Sequence, residues 1–146
     1  MTPRPISGLQ RVRWVASEPV RRVIVVVWVA GFLVGTATHV VDLIAGGTGA
    51  YGGHSTPVRL YWVSLTVLDP LAAVLVMLGR RSGIVLGVTV MVSDVAVNWG
   101  VLASVGGLSM SGLALQTTFC LVVVVTAPVL WRRFAHGRSE VAGPRV

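Results

Sequence analysis

The sequence predicts an all-α fold: an integral membrane four-helix bundle with both termini cytoplasmic. Three observations lead to this prediction: four long apolar segments, very few charged residues, and basic residues placed between the segments. Hydrophobic residues make up 54% of the 146 residues and charged residues 12%, against roughly 25% charged residues in soluble domains. So few charges do not cover a soluble surface, and a chain of this length forms one domain.

The four apolar segments are each long enough to cross a bilayer. Each holds about 20 residues, which at a rise of 1.5 Å per residue spans a hydrocarbon core near 30 Å. The expected spans are residues 23–45, 58–78, 84–105 and 112–131. They divide the chain into a basic N-terminal segment, a four-transmembrane-helix domain and a basic cytoplasmic tail, at residues 1–22, 23–131 and 132–146.

The first span carries a stripe of small and polar residues. Gly31, Gly35, His39 and Asp42 follow one another at spacings of four, four and three, so they share one helical face. Glycines four residues apart allow another backbone to approach closely. We therefore expect the glycines to pack against a neighbouring helix, and His39 and Asp42 to lie on the same face nearer the outer surface.

The second span places an ionisable residue in mid-membrane. Tyr61 and Asp69 share one stripe of this helix, and Pro70 follows Asp69. Proline removes a backbone donor, so we expect a local kink at this point. Trp62 lies near the end of the span, where aromatic residues commonly anchor a helix at the interface.

The third and fourth spans also carry polar side chains. Asp94 and Asn98 are one turn apart on the third helix, and Trp99 lies deep enough to line a pocket. Gln116 and Cys120 are one turn apart on the fourth helix. Cys120 has no second cysteine with which to pair, so we interpret it as a small packing residue.

The polar groups of all four helices fall at similar depths. By helix rise, Asp69 and Asp94 lie about 15–16 Å from one end of their helices, near the midplane. The remaining polar residues lie farther out: His39, Asp42, Asn98 and Gln116. An ionisable group at the centre of a bilayer costs about 2.5–3.5 kcal/mol and usually faces a bundle interior or cavity. The sequence therefore predicts an acidic pocket that opens outward.

The basic residues indicate the topology. All twelve are arginines, and only Arg59 falls on the predicted outer side. The other eleven flank the spans on the opposite side: Arg4, Arg11, Arg13, Arg21, Arg22, Arg80, Arg81, Arg132, Arg133, Arg138 and Arg145. By the positive-inside rule we expect a multi-pass protein of the cell membrane with cytoplasmic N- and C-termini. The charges form no basic face with interleaved aromatic residues, so we do not expect nucleic acid as a partner.

The outer loop, residues 46–57, is rich in glycine. It is either a flexible connector or a lid whose Tyr51 and His54 touch a ligand. His39, Asp42 and His54 form a conceivable set of metal ligands, but such spacings are common by chance. We predict no metal and no cofactor.

The site prediction assigns roles by chemistry. Asp69 and Asp94 form the acid–base pair, because a carboxylic acid beside a carboxylate is competent for proton transfer. His39 and Asp42 orient the ligand or relay protons. The expected ligand-binding residues are Asn98, Gln116, Trp99, Tyr61 and Trp62. The structural alternative is that buried polar residues such as Asn98 and Gln116 only bond helices together.

These residues favour a protein that binds or converts an apolar small molecule of isoprenoid, sterol or quinone type. In outline the layout is similar to the EXPERA family of four-helix isomerases and sterol-binding proteins, through its architecture and through Trp62-x-Ser64 before Asp69. That resemblance implies carboxylates in a bundle pocket.

Two other functions fit the sequence. One is a small proton-coupled exporter, since small multidrug transporters also have four short helices, although their essential carboxylate is a glutamate in the first helix and Asp42 lies near the outer end of this one. The other is an accessory subunit whose aspartates meet basic residues of a larger membrane partner. Homodimerisation is open in each case.

Overall fold

The computed structural model describes residues 18–136, which form four long helices joined by short connections. The helices are α1 (Glu18–Gly46), α2 (Thr56–Met77), α3 (Arg81–Ser104) and α4 (Met110–His136), with a short 3-10 turn at Gly47–Gly49. No strand occurs in this range, so the all-α prediction is confirmed. Residues 1–17 and 137–146 of the predicted terminal segments lie outside the described residues.

All four helices are long and apolar enough to cross a membrane, which indicates a multi-pass membrane protein. Each begins earlier than the apolar run that predicted it, because polar residues at the edge of a span also join the helix. Pro57 illustrates this in α2, where it occupies the first turn. Proline is well suited to that position, since its missing N–H has no partner there in any helix.

The helices pack in chain order. α1 contacts α2, α2 contacts α3 and α3 contacts α4, whereas α4 returns to α1 over a much smaller contact. Short connections make consecutive helices antiparallel. We call the end that holds Glu18 and the α2–α3 connection the terminal end, and the end that holds connections 47–55 and 105–109 the loop end.

The core is tightest in the half near the terminal end. Trp28 and Phe32 on α1 are 0% and 1% exposed. They reach across the bundle to Gly87 of α3, where a Cβ would lie 2.9 Å from Trp28 Cζ3 and 3.1 Å from Phe32 Cζ. Gly87 therefore provides the space that the two large rings occupy. At the same end, the Arg81 guanidinium lies 4.8 Å from the ring centroid of Trp131, a favourable cation–π contact.

The two glycines of the α1 stripe face different helices. A Cβ on Gly31 would overlap the ring of Phe119 on α4. A Cβ on Gly35 would lie 2.6 Å from Oδ2 of Asp69 on α2. The stripe therefore receives two side chains rather than the backbone of one neighbouring helix, because the glycines lie where α1 faces both of its neighbours.

Candidate functional site

A cavity of about 520 Å³ lies between α1 and α4 in the half of the bundle near the loop end. On the side of the cavity toward the terminal end, α1 and α4 are in contact. The rings of Phe32 and Phe119 meet edge to face there, with their centroids 5.6 Å apart. Trp28 Nε1 also donates a hydrogen bond to Thr126 Oγ1 at 2.8 Å. These contacts form the floor, and above them α1 and α4 separate. The volume is in the range of about 300–1,000 Å³ that small-molecule sites occupy.

The cavity opens through the side of the bundle. Val34 of α1 and Leu115 of α4 both line it, and they are 64% and 74% exposed. These two helices also have the smallest mutual contact of any neighbouring pair. The side of the bundle is the surface that faces lipid in a membrane-spanning protein, and the exposed Val34 and Leu115 place the edge of the cavity on that surface.

Five of the predicted site residues line this cavity: His39, Asp69, Asp94, Asn98 and Gln116. They come from all four helices. Most of the remaining wall is apolar, with Phe32, Met91 and Phe119 among its residues. The cavity thus has an apolar body and a small number of polar groups, the usual composition of a small-molecule site.

Asp69 is a buried residue at the wall of the cavity. The residue is only 5% exposed. Its carboxylate accepts no hydrogen bond from any side chain or backbone group in residues 18–136, and the residue lines the cavity. Burying a charged or polar group without a partner is costly, so such a group is rare outside functional sites.

Asp94, by contrast, is held by two amide side chains. Asn98 Nδ2 donates to Asp94 Oδ1 at 3.3 Å, and Gln116 Nε2 donates to Asp94 Oδ2. Asn98 Nδ2 also donates to Gln116 Oε1 at 2.8 Å. Trp62 Nε1 completes the network by donating to Asn98 Oδ1 at 2.8 Å. Each carboxylate oxygen of Asp94 therefore already has a donor.

A second series of hydrogen-bonded side chains reaches the cavity from the loop end. The hydroxyl of Tyr51 donates to Asp42 Oδ2 at 3.3 Å and lies 3.1 Å from His39 Nδ1. Asp42 is exposed and His39 lines the cavity. The chain thus connects an exposed carboxylate to the cavity wall, with Tyr51 as its middle member.

The loop that carries Tyr51 rests on Trp62. The centroids of the Tyr51 and His54 rings lie 5.0 Å and 4.9 Å from that of Trp62. Tyr51 takes a left-handed backbone conformation with φ of 59°, which turns the chain back over α2. Burial raises the pKa of the Tyr51 phenol to about 12, with a further contribution from nearby Asp42.

Four predicted site residues lie outside the cavity walls. Asp42 reaches the cavity only through Tyr51, and Trp62 lies behind Asn98. Tyr61 is within hydrogen-bond distance of Ser93 Oγ, at 2.7 Å. Trp99 is 45% exposed and donates to Thr117 Oγ1 at 3.2 Å.

Sequence reasoning did not find two features of the site. One is Phe119, which closes the floor; its position three residues after Gln116 puts both on one face of α4, and that spacing was the available signal. The other is the bridging role of Tyr51. A tyrosine in a glycine-rich connector gave no indication of its partners, because they depend on how the loop folds back. Within residues 18–136, no three His, Cys, Asp or Glu side chains come together as a metal site.

Comparisons with known proteins give no family for this chain. No family model matches it, and neither the curated proteins nor the solved structures contain a match. The resemblance to EXPERA proteins, drawn from the architecture and from Trp62-x-Ser64 before Asp69, receives no support from these comparisons. Evidence for function comes from the chemistry of the cavity.

Proposed function

We propose that this protein binds a lipophilic small molecule of isoprenoid, sterol or quinone type in the cavity between α1 and α4, and that Asp69 exchanges a proton with it. The observation that carries the proposal is Asp69 at the wall of an apolar cavity: the residue is only 5% exposed, and its carboxylate has no hydrogen-bond partner among residues 18–136. A carboxyl group with free oxygens accepts a proton or a hydrogen bond from whatever occupies the cavity. Asp94, the other acidic residue that the described part of the chain places in the cavity walls, accepts hydrogen bonds from Asn98 and Gln116.

Asp94 has a different part in this proposal. Its two donors, Asn98 and Gln116, hold the carboxylate in one orientation. Networks of this kind give a site a defined shape, because each member restricts the rotamer of the next. Asp94 is thus a fixed negative group beside the ligand, and Asp69 is the group that changes its bonding when the ligand binds.

The chain from Asp42 through Tyr51 to His39 supplies a proton path in this proposal. A tyrosine hydroxyl both donates and accepts, and a neutral imidazole has one donor and one acceptor nitrogen. A proton can therefore pass between the exposed carboxylate and the cavity wall by reorganisation of hydrogen bonds already in place. Removal of the Tyr51 hydroxyl interrupts this path without altering the cavity.

The ligand enters from the bilayer in this proposal. The gap between α1 and α4 is bordered by the exposed apolar residues Val34 and Leu115. A lipophilic molecule already dissolved in the membrane reaches this gap without crossing water.

A binding experiment tests the proposal. Protein in lipid nanodiscs is photolabelled with a diazirine analogue of a long-chain isoprenoid alcohol, and the labelled residues are identified by mass spectrometry. Labelling should fall on α1 and α4 at the cavity, around Val34 and Leu115. Asp69→Asn should reduce labelling, and Thr66→Val is the matched control on the same helix, since Thr66 bonds only to Val63 O. Equal labelling of all three proteins, or labelling spread over the outer faces, refutes the proposal.

The membrane orientation is part of the proposal. We propose that both termini are cytoplasmic, since eleven of the twelve arginines fall on that side. In a Cys120→Ala background, Ser55→Cys at the loop end should react with a membrane-impermeant maleimide in intact cells. Ser82→Cys at the terminal end should react only after permeabilisation. The reverse pattern would invert the topology.

A further inference from the structure

The cavity has an unbalanced charge. Among residues 18–136, its walls include Asp69 and Asp94 and no Arg or Lys. The nearest candidate for a cation is His39, which is already engaged with the hydroxyl of Tyr51. A ligand that fills this cavity therefore meets a field that favours positive charge and opposes negative charge.

The hydroxyl groups in the walls are not available to Asp69. Thr38 Oγ1 donates to the backbone oxygens of Val34 and Gly35, at 3.2 and 2.7 Å. Ser109 Oγ lies 2.9 Å from Ser111 Oγ. The donors of Asn98 and Gln116 are directed at other atoms. A ligand that carries its own donor therefore meets a carboxylate that no side chain of residues 18–136 hydrogen-bonds.

We propose that the ligand is a lipophilic amine whose protonated nitrogen binds the carboxylate of Asp69 while its apolar body fills the cavity between α1 and α4. This inference rests on the proposed function and adds that the lipophilic body of the ligand carries a basic amine. A charge-assisted hydrogen bond between an ammonium and a carboxylate is roughly twice as strong as a neutral one. An ammonium also neutralises a buried carboxylate, which a hydroxyl group does not do.

The two aspartates contribute differently to ligand binding. Each carboxylate oxygen of Asp94 already accepts one hydrogen bond, from Asn98 or from Gln116, so Asp94 contributes chiefly its charge. Asp69 contributes charge and a carboxylate that accepts no hydrogen bond within residues 18–136. A carboxylate without a donor, beside a second negative charge, matches a ligand with one compact cationic group. The carboxylate of a fatty acid meets two like charges and is rejected.

A matched series of probes tests the ligand class. Dodecylamine, dodecanol and dodecanoic acid share one alkyl chain and differ only in the polar group. Their equilibrium binding to the protein is measured in nanodiscs of zwitterionic lipid at neutral pH, with empty nanodiscs as the blank. The amine should bind roughly 10- to 100-fold more tightly than the alcohol, the range expected of a hydrogen bond to a charged group. The acid should not bind.

Asp69→Asn should lower the affinity for dodecylamine by the same factor of roughly 10 to 100. It should lower the affinity for dodecanol by a much smaller factor, because the alcohol loses only part of a hydrogen bond without opposite charges. Glu18→Gln is the matched control, because it removes the same charge from α1 at the terminal end, where Glu18 pairs with Arg21 at 2.6 Å. It should not change either affinity. If Glu18→Gln weakened amine binding as much as Asp69→Asn, general charge attraction would explain the preference and the inference would fail.

The outcomes separate this inference from the function on which it rests. Equal or tighter binding of dodecanol to the wild-type protein overturns the amine proposal and leaves the binding of lipophilic molecules intact. Absence of saturable binding by all three probes, together with absence of photolabelling by the isoprenoid analogue, overturns both. The wild-type comparison decides the ligand class even if Asp69→Asn does not fold.

Discussion

The carboxylate of Asp69 on α2 lies directly against Gly35 on α1, so closely that a Cβ at Gly35 would lie 2.6 Å from Oδ2. The space beside Gly35 is therefore occupied by the side chain that we place at the centre of the site. Asp94 lines the same cavity from α3 but takes its position from two amide donors. Two aspartates at similar depth thus have different environments, and the predictions below separate them.

Gly35→Ala should impair ligand binding more than it impairs folding. The added Cβ forces the Asp69 carboxylate to rotate away, which is possible without moving backbone because Oδ2 is the end of a side chain. Gly100→Ala on α3 is the control, since a Cβ there meets nothing within 4 Å. Binding of the photolabel and thermal stability in detergent provide the two readouts. Unchanged labelling of Gly35→Ala would argue against Asp69 as the binding group.

Asp94→Asn should destabilise the protein by about 1–3 kcal/mol, the cost of leaving a buried donor unsatisfied. The indole N–H of Trp62 only donates, so it holds Asn98 with its oxygen toward Trp62 and its amide nitrogen toward Asp94. An amide at position 94 then brings two N–H₂ groups together in either orientation of Gln116. Asp69→Asn, which disturbs no hydrogen bond within residues 18–136, should have a much smaller effect. Equilibrium unfolding in mixed micelles compares the two variants, and equal losses would contradict the assignment.

Trp62→Phe should weaken the same network while the loop keeps its aromatic contact. The substitution keeps an aromatic ring under Tyr51 and His54 but removes the donor to Asn98 Oδ1 at 2.8 Å. We expect a loss of about 1–3 kcal/mol from the unsatisfied amide oxygen. Trp99→Phe is the matched control, because Trp99 is 45% exposed and its bond to Thr117 lies at the surface. A larger loss for Trp99→Phe would show that the buried network contributes little.

Tyr51 should ionise well above the usual range of a phenol. Its pKa is raised from 10.0 to about 12, chiefly by burial and then by Asp42. The folded protein therefore holds this proton more tightly than the unfolded chain, so its contribution to stability is complete below about pH 10 and is lost as the pH rises toward 12. In a Tyr61→Phe background Tyr51 is the one remaining tyrosine, and ultraviolet absorbance follows its phenolate. The double variant with Tyr51→Phe gives the blank, and ionisation near pH 10 would contradict the partly buried position of Tyr51 beside Asp42.

Much of the fold follows from the sequence because length and apolarity alone define a membrane span. The four helices lie where the four apolar segments were expected. Asp69 and Asp94, which helix rise predicts at similar depth, line the same cavity. Whether the aromatic residues of the predicted site line the cavity depends on more than their depth along the helix. Tyr61, Trp62 and Trp99 lie outside the cavity walls, because a difference of one or two positions on a helix turns a side chain toward a different neighbour.

The sequence by itself therefore predicts which residues are polar, how far along a helix they lie and which of them share a helical face. It leaves open how each helix is rotated against the others. That rotation gives Asp94 two amide donors from α3 and α4 and leaves Asp69 facing Gly35 and the cavity. The pairing of a buried carboxylate depends on contacts between residues far apart in the chain, and so the difference between the two aspartates emerges only when the four helices are packed together.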